Sequence, residues 1–177
     1  MNHDPLIDAA VRRVPDFPKP GILFYDITSI LLSPGAFARC IEGLAAACRE
    51  FKVEALAPIE SRGFLFAGPL AKDLSLPIVP VRKKGKLPGK TVAKSYELEY
   101  GNAEIEMHAL DIPRGRRVAV LDDLIATGGT IRAAADLLSE GGAIPVCAVC
   151  VIGLPFLKYE ERLAGLPVRT LQDYAGE

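Results

Sequence analysis

The stretch Val118-Ala119-Val120-Leu121-Asp122-Asp123-Leu124-Ile125-Ala126-Thr127-Gly128-Gly129-Thr130 decides the fold class. A short apolar run stops at two adjacent carboxylates, a small loop of Thr and Gly follows, and a helical pattern begins. That order describes a buried strand, an acidic strand end and a turn at a helix N-terminus. It is the unit from which parallel sheets with crossover helices are built.

Outward from it the same alternation recurs. Upstream, Ser33-Pro34 reads as an N-cap with proline at the first helical position. Phe37, Cys40, Ile41, Leu44, Ala45, Cys48 and Phe51 then fall at helical spacing. Strand 53–59 leads into helix 61–74, opened by Glu60-Ser61-Arg62-Gly63, and then strand 77–81. Residues 83–92 have no period and read as a loop; 93–99 and 103–108 alternate around Tyr100-Gly101-Asn102 as a hairpin. Strand 117–122 precedes helix 129–140, which Gly141-Gly142 stops. Strand 144–151, a helical stretch 156–164 and strand 167–171 complete the chain. The Pro-rich stretch 14–21 can be neither helix nor central strand and reads as a surface arm. The expectation is one α/β domain over residues 1–177, a doubly wound, mainly parallel sheet with flanking helices. Ligands of such sheets sit outside the carboxyl ends of the strands. Three of those ends here carry polar groups: Glu60-Ser61, Arg82-Lys83 and Asp122-Asp123.

Composition excludes several classes. In 177 residues, 50% hydrophobic and 24% charged, the net charge is −1, which makes no case for nucleic-acid or anionic-membrane binding. No apolar run reaches the roughly 18 residues of a membrane span. The first 13 residues carry acids and Pro5 but no apolar signal core, so the expected compartment is the cytosol. Cys147 and Cys150 form a Cys-x-x-Cys, but inside an apolar run rather than at a helix start. With Cys40 and Cys48 they read as reduced core thiols.

An isolated Asp-Asp is usually a solvated turn. At the mouth of a buried strand it instead calls for shared donors or a cation, such as a ribose diol or Mg2+. Ala126 to Thr130 is a glycine loop opening a helix, where successive N–H groups and the helix dipole favour an anion. The Lys of a nucleotide-triphosphate P-loop and the dinucleotide glycine fingerprint are both absent. A ligand bearing a diol and a phosphate, such as a ribose 5-phosphate, satisfies both features. Arg62 could grip a phosphate bidentately, although alone it would be a surface Arg. A run of Arg82, Lys83, Lys84, Lys86, Lys90 and Lys94 would normally be a solvated face. Attached to a strand end, it suits a polyphosphate, and the hairpin after it suits a lid that excludes water.

These residues resemble the type I phosphoribosyltransferases. The 118–130 stretch resembles their phosphoribosyl pyrophosphate motif. The blocks 16–24, Ser61-Arg62-Gly63-Phe64, 82–89 and 95–101 resemble the adenine-using branch, and the likeness covers roughly residues 12–174. The resemblance implies the type I phosphoribosyltransferase fold with an N-terminal arm (1–33) and a hairpin lid (83–108). It implies transfer of a phosphoribosyl group to adenine in purine salvage, giving AMP and pyrophosphate. It also implies a homodimer and Mg2+ carried by the substrate, with no direct protein ligand. Carried over by position, Asp122 and Asp123 hold the ribose hydroxyls, and Ala126, Thr127, Gly128, Gly129 and Thr130 the 5'-phosphate. Arg62 contacts pyrophosphate, as do Lys83 and Lys86 from a dimer partner's loop, while Arg82 orders that loop. Glu99 handles a proton near the purine N7, and Tyr100 belongs to the lid. Leu23 and Tyr25 offer backbone to adenine; Phe24 and Leu154 shape its pocket.

Three positions depart from the family's pattern. Tyr25 stands where many members have Arg, which is harmless if only backbone is used there. Gly153 stands where many have Glu, implying either a lost hydrogen bond or backbone strain relieved by glycine. Glu60 replaces an Asp. Two other readings share the fold. A regulatory binding module needs a nucleic-acid surface or an added domain. An enzyme for a 6-oxopurine needs a donor where adenine needs an acceptor.

Overall fold

Apolar side chains occupy both faces of the central strands, Val118 and Val120 on one, Ala119 and Leu121 on the other. Such strands need cover on both sides. The computed structural model describes residues 1–97 and 102–176. Along the chain come α1 (Pro5–Ala10), β1 (Arg12–Pro15), β2 (Leu23–Asp26), α2 (Pro34–Glu50), β3 (Ala55–Pro58), α3 (Gly63–Leu74), β4 (Arg82–Lys83), β5 (Thr91–Glu97), β6 (Asn102–His108), β7 (Arg117–Ile125), α4 (Gly129–Glu140), β8 (Ile144–Gly153), α5 (Tyr159–Arg162) and β9 (Val168–Asp173).

β3, β7, β8 and β9 lie side by side in that order, all parallel. Residues 77–81 run parallel along the free edge of β3, bridged at Leu56–Ile78 and Ile59–Val81. The strand expected there is in place but does not form a regular ladder, because Pro77 and, facing Val79 on β3, Pro58 have no N–H to donate. Val79 and Val81 N–H groups donate to the carbonyls of Leu56 (2.8 Å) and Pro58 (2.9 Å), and Leu56 and Glu60 N–H groups donate back to those of Pro77 and Val81 (2.9 Å each). Counted along the chain, the spatial order is second, first, third, fourth, fifth. α1, α2 and α3 cover one face; α4, α5 and the β5–β6 hairpin cover the other.

Several boundaries differ from expectation. The reading of the first 13 residues as lacking a signal core missed α1, whose own signal was present: the Asp4 carboxylate caps Leu6 N (3.1 Å) and Ile7 N (3.2 Å), and Pro5 sits in the first turn. The Pro-rich arm forms a small antiparallel ribbon, β1 on β2, ending at Pro15. The hairpin starts at Thr91 rather than 93 and gains β4 as a third strand beside β6. β7 runs on through the acid pair to Ile125 instead of stopping at residue 122. The four cysteines are free and buried, and burial pushes the thiols of Cys40, Cys48 and Cys147 up to about 12. Among the described residues no helix is long and apolar enough to cross a membrane.

Candidate active site

β3 and β7 are neighbours, but the helices that follow them, α3 and α4, leave to opposite faces of the sheet. A crevice opens at their carboxyl ends, the place where such sheets bind ligands. It is a cavity of about 280 Å³ lined by Glu60, Ser61, Arg62, Arg82, Lys83, Tyr96, Ile105, Asp122, Asp123, Leu124 and Thr130. All three polar strand ends expected from the sequence meet there.

The acid pair can line the crevice because β3 is short. β3 stops where Pro58 faces Leu121, whereas β8 continues beside β7 as far as the Ile125–Gly153 pair. Asp122 and Asp123 therefore lie within a continuing strand that has one open edge. Asp123 is 3% exposed, and its Oδ2 accepts the Arg62 Nε–H at 2.6 Å. Its N–H donates to Asp122 Oδ1 at 2.9 Å. Burial, and next the adjacent Asp123, push the Asp122 carboxyl well above the usual aspartate range. Burial works against the Arg62 charge, but Asp123 and then Asp122 outweigh it and hold the guanidinium protonated. One cation thus neutralises one of two crowded acids.

Beyond the pair, Ala126, Thr127 and Gly128 turn the chain into α4. Gly128 takes a left-handed φ of 78°, which places the N-terminus of a twelve-residue helix at the end of the crevice. Its first N–H groups have no partner within the helix. Thr130 lines the cavity; Ala126, Thr127, Gly128 and Gly129 do not, and form the turn beside it.

On the basic side, Arg82 grips Glu60 through Nε (2.9 Å) and Nη2 (3.3 Å), and Lys83 N–H donates to the same carboxylate at 3.0 Å. These bonds hold the Glu60 carboxyl below its ordinary range. Lys83 lines the cavity of its own chain, whereas Lys86 lies outside it. Lys94 leaves the basic run altogether: it pairs with Glu140 and, at 3.7 Å, with Asp136 of α4.

The residues assigned to the base pocket lie outside the cavity lining. Leu23 and Leu154 pack against the apolar cluster that contains Tyr25, and Leu154 N–H donates to Ile125 O at 3.0 Å. Phe24 meets Phe17 edge-on at 5.1 Å. β2 nevertheless ends near the crevice, since Asp26 and Arg62 feel each other's charge. Glu99 and Tyr100 lie outside the described residues. Sequence reading missed Tyr96 and Leu124 in the lining, and Glu106 behind it. Leu124 carried a signal, being adjacent to the acid pair.

The phosphoribosyl transferase domain family matches residues 27–163. The chain is 54% identical over 174 residues to the adenine phosphoribosyltransferase of Treponema denticola, covering 98% of this chain and 92% of the relative. The crystal structure of adenine phosphoribosyltransferase from Thermoanaerobacter pseudethanolicus superposes with a TM-score of 0.91 at 44% identity, covering 95% of this chain and 98% of that one. The chain belongs to the adenine phosphoribosyltransferases. It is an enzyme that moves a phosphoribosyl group to adenine. The Saccharomyces cerevisiae adenine phosphoribosyltransferase, complexed with adenine and an imino-altritol bisphosphate, superposes at 0.86 with 41% identity, over 93% and 96% of the two chains.

In this phosphoribosyltransferase the three departures have structural readings. Tyr25 is 7% exposed and stacks on Tyr174 at 3.9 Å and 5°, so its side chain belongs to the core. Glu60 keeps a carboxylate on Arg82. Gly153 lies in strand backbone and relieves no left-handed strain. A Cβ there would instead meet Asp173 Oδ1 at 2.5 Å, Thr170 Cγ2 at 2.8 Å and Tyr159 OH at 3.0 Å.

Proposed function

We propose that the crevice between β3 and β7 is where the enzyme transfers the 5-phosphoribosyl group of phosphoribosyl pyrophosphate to adenine, releasing AMP and pyrophosphate. The observation that carries this reading is the Asp122–Asp123 pair, open on one side, facing Arg62 and leading into the α4 turn. The pair accepts from the two ribose hydroxyls. The Ala126–Thr130 turn holds the 5'-phosphate against the helix N-terminus. Arg62 leaves Asp123 for the pyrophosphate as the ribose takes its place. Lys83 and Lys86, from the loop of a dimer partner, add counter-charge, and Arg82 keeps that loop in shape through Glu60.

The transition state is a ribosyl cation parting from pyrophosphate, so positioning and charge neutralisation supply most of the catalysis. Glu99 handles the proton at the purine N7, and Tyr100 closes over it as part of the 83–108 lid. Leu23 and Tyr25 offer backbone groups to adenine; Phe24 and Leu154 bound its ring. The donors at the acid pair are hard oxygens, which fit Mg2+ arriving on the substrate's own oxygens. Mg2+ supplies charge neutralisation to the leaving pyrophosphate. The enzyme works as a single-domain homodimer in the cytoplasm. Pyrophosphate release is measured with phosphoribosyl pyrophosphate, Mg2+ and each of adenine, hypoxanthine, guanine and xanthine. Release with adenine alone is expected. Release with another base overturns the pocket assignment, and release unaltered by Asp123→Asn overturns the diol role.

A further inference from the structure

Glu106 is a carboxylate that the reaction as described does not use. It lies on β6 opposite Arg82 of β4 and is 2% exposed. Its Oε1 accepts two backbone N–H groups of the lysine turn, Lys86 and Leu87, each at 2.9 Å. Its Oε2 accepts the Thr91 hydroxyl at 3.1 Å. Burial alone would drive this carboxyl toward its neutral form, yet the three donors hold it below the ordinary glutamate range. A second carboxylate, Glu60, holds the start of the same turn through Arg82 and Lys83, and Arg82 Nη1 reaches the Lys86 carbonyl at 3.4 Å. A turn bearing Lys83, Lys84 and Lys86 repels itself, and a flexible turn would have to be ordered when its anion arrives. Here the turn is wrapped around a buried negative charge.

We propose that Glu106 is a positioning residue for the pyrophosphate end of the site. It sets the 83–87 turn in its binding shape before substrate arrives, and it fastens that turn to β6, so that the lysines and the hairpin move as one body. Acceptor geometry, more than charge, performs this. Gln can do the same, because its amide oxygen accepts both N–H groups and its amide nitrogen donates to the Thr91 hydroxyl. The catalytic consequence rests on the proposed pyrophosphate role of the turn; the ordering of the turn does not.

The test is amide hydrogen exchange of the ligand-free enzyme by NMR, together with steady-state kinetics, for wild type, Glu106→Gln and Glu106→Ala. Lys86 and Leu87 amides are expected to be protected in wild type and Glu106→Gln, and to exchange about tenfold faster in Glu106→Ala, as loss of a buried hydrogen-bond acceptor implies. Glu106→Ala is expected to raise KM for phosphoribosyl pyrophosphate about tenfold, with kcat and KM for adenine within about twofold, and Glu106→Gln to restore it. Unprotected amides in wild type, unchanged exchange in Glu106→Ala, or failure of Glu106→Gln to rescue overturns the proposal. Faster exchange with an unmoved KM overturns the pyrophosphate reading of the turn instead. If Glu106→Ala does not fold, Thr91→Val removes only the Oε2 donor. A KM for phosphoribosyl pyrophosphate raised about twofold to threefold supports the proposal, and an unchanged one overturns it.

Discussion

Gly153→Ala adds one methyl group to a strand and is expected to be among the most damaging single-carbon changes in the protein. The added Cβ falls 2.5 Å from Asp173 Oδ1, 2.8 Å from Thr170 Cγ2 and 3.0 Å from Tyr159 OH, all inside ordinary contact distance. The carboxylate cannot step aside freely. Its Oδ2 accepts Asn2 N–H at 2.7 Å and its Oδ1 accepts the Thr170 hydroxyl at 2.6 Å. Overpacking costs about 1–3 kcal/mol, and each hydrogen bond to a charged group lost in relieving it about 1.5–3 kcal/mol. A total of about 3 kcal/mol lowers Tm by roughly 6–12 °C for a chain of this size. The assay is thermal unfolding of wild type, Gly153→Ala, Asp173→Ala and the double variant. Removing the carboxylate relieves the shortest of the three contacts and frees the Thr170 side chain to turn, so the methyl group should cost less in the Asp173→Ala background. A Tm within about 1 °C of wild type, or single effects that add within about 0.5 kcal/mol, would refute the steric argument.

Other consequences follow from the site. Asp122 has a raised pKa in the folded state, so folding binds its proton more tightly, and stability declines as pH climbs from the ordinary aspartate value through the raised one. Asp122→Asn should therefore stabilise the ligand-free protein near neutral pH by about 0.5–2 kcal/mol, flatten that decline in urea titrations and weaken phosphoribosyl pyrophosphate binding; an unchanged pH slope counts against it. Glu99→Gln should lower kcat by about 10²–10⁴-fold, and a loss confined to KM would remove Glu99 from proton transfer. The four buried thiols should resist alkylation in the native enzyme at pH 8 and react on unfolding, as counted by mass spectrometry; labelling of native Cys40 or Cys48 contradicts the burial that pushes them to about 12.

The central strands were legible because burial on both faces writes itself as continuous apolar runs, and the acid pair was legible because it interrupts one. Where proline governs the backbone, the reading was less complete. Residues 77–81 pair with β3 without forming a ladder, and Pro15 closes a ribbon that composition alone presented as an arm. Glu106 was hidden for a different reason. In Glu104-Ile105-Glu106-Met107 the alternation assigns the glutamates to solvent and Ile105 and Met107 to the core. Glu104 does reach the surface, where it pairs with Lys84. Glu106 is covered by a turn some twenty residues upstream, which no local period can report. The length of β7 past Asp122 was likewise invisible, because it depends on β8 continuing beside it while β3 stops.

The adjacency of β3 and β7, which creates the crevice, also bears on how the enzyme folds. The other neighbouring parallel pairs are separated by fewer than thirty residues or so, but this pair joins Ala55 to Val118, a closing loop of roughly 60 residues. Loop-closure entropy makes that seam about 0.7 kcal/mol more expensive to zip than its neighbours. The proposed ligand site spans the same seam, with Arg62 on one bank and Asp122 and Asp123 on the other. A substrate held as proposed would act as a clasp on the join with the longest reach, its binding energy returned as resistance to opening there.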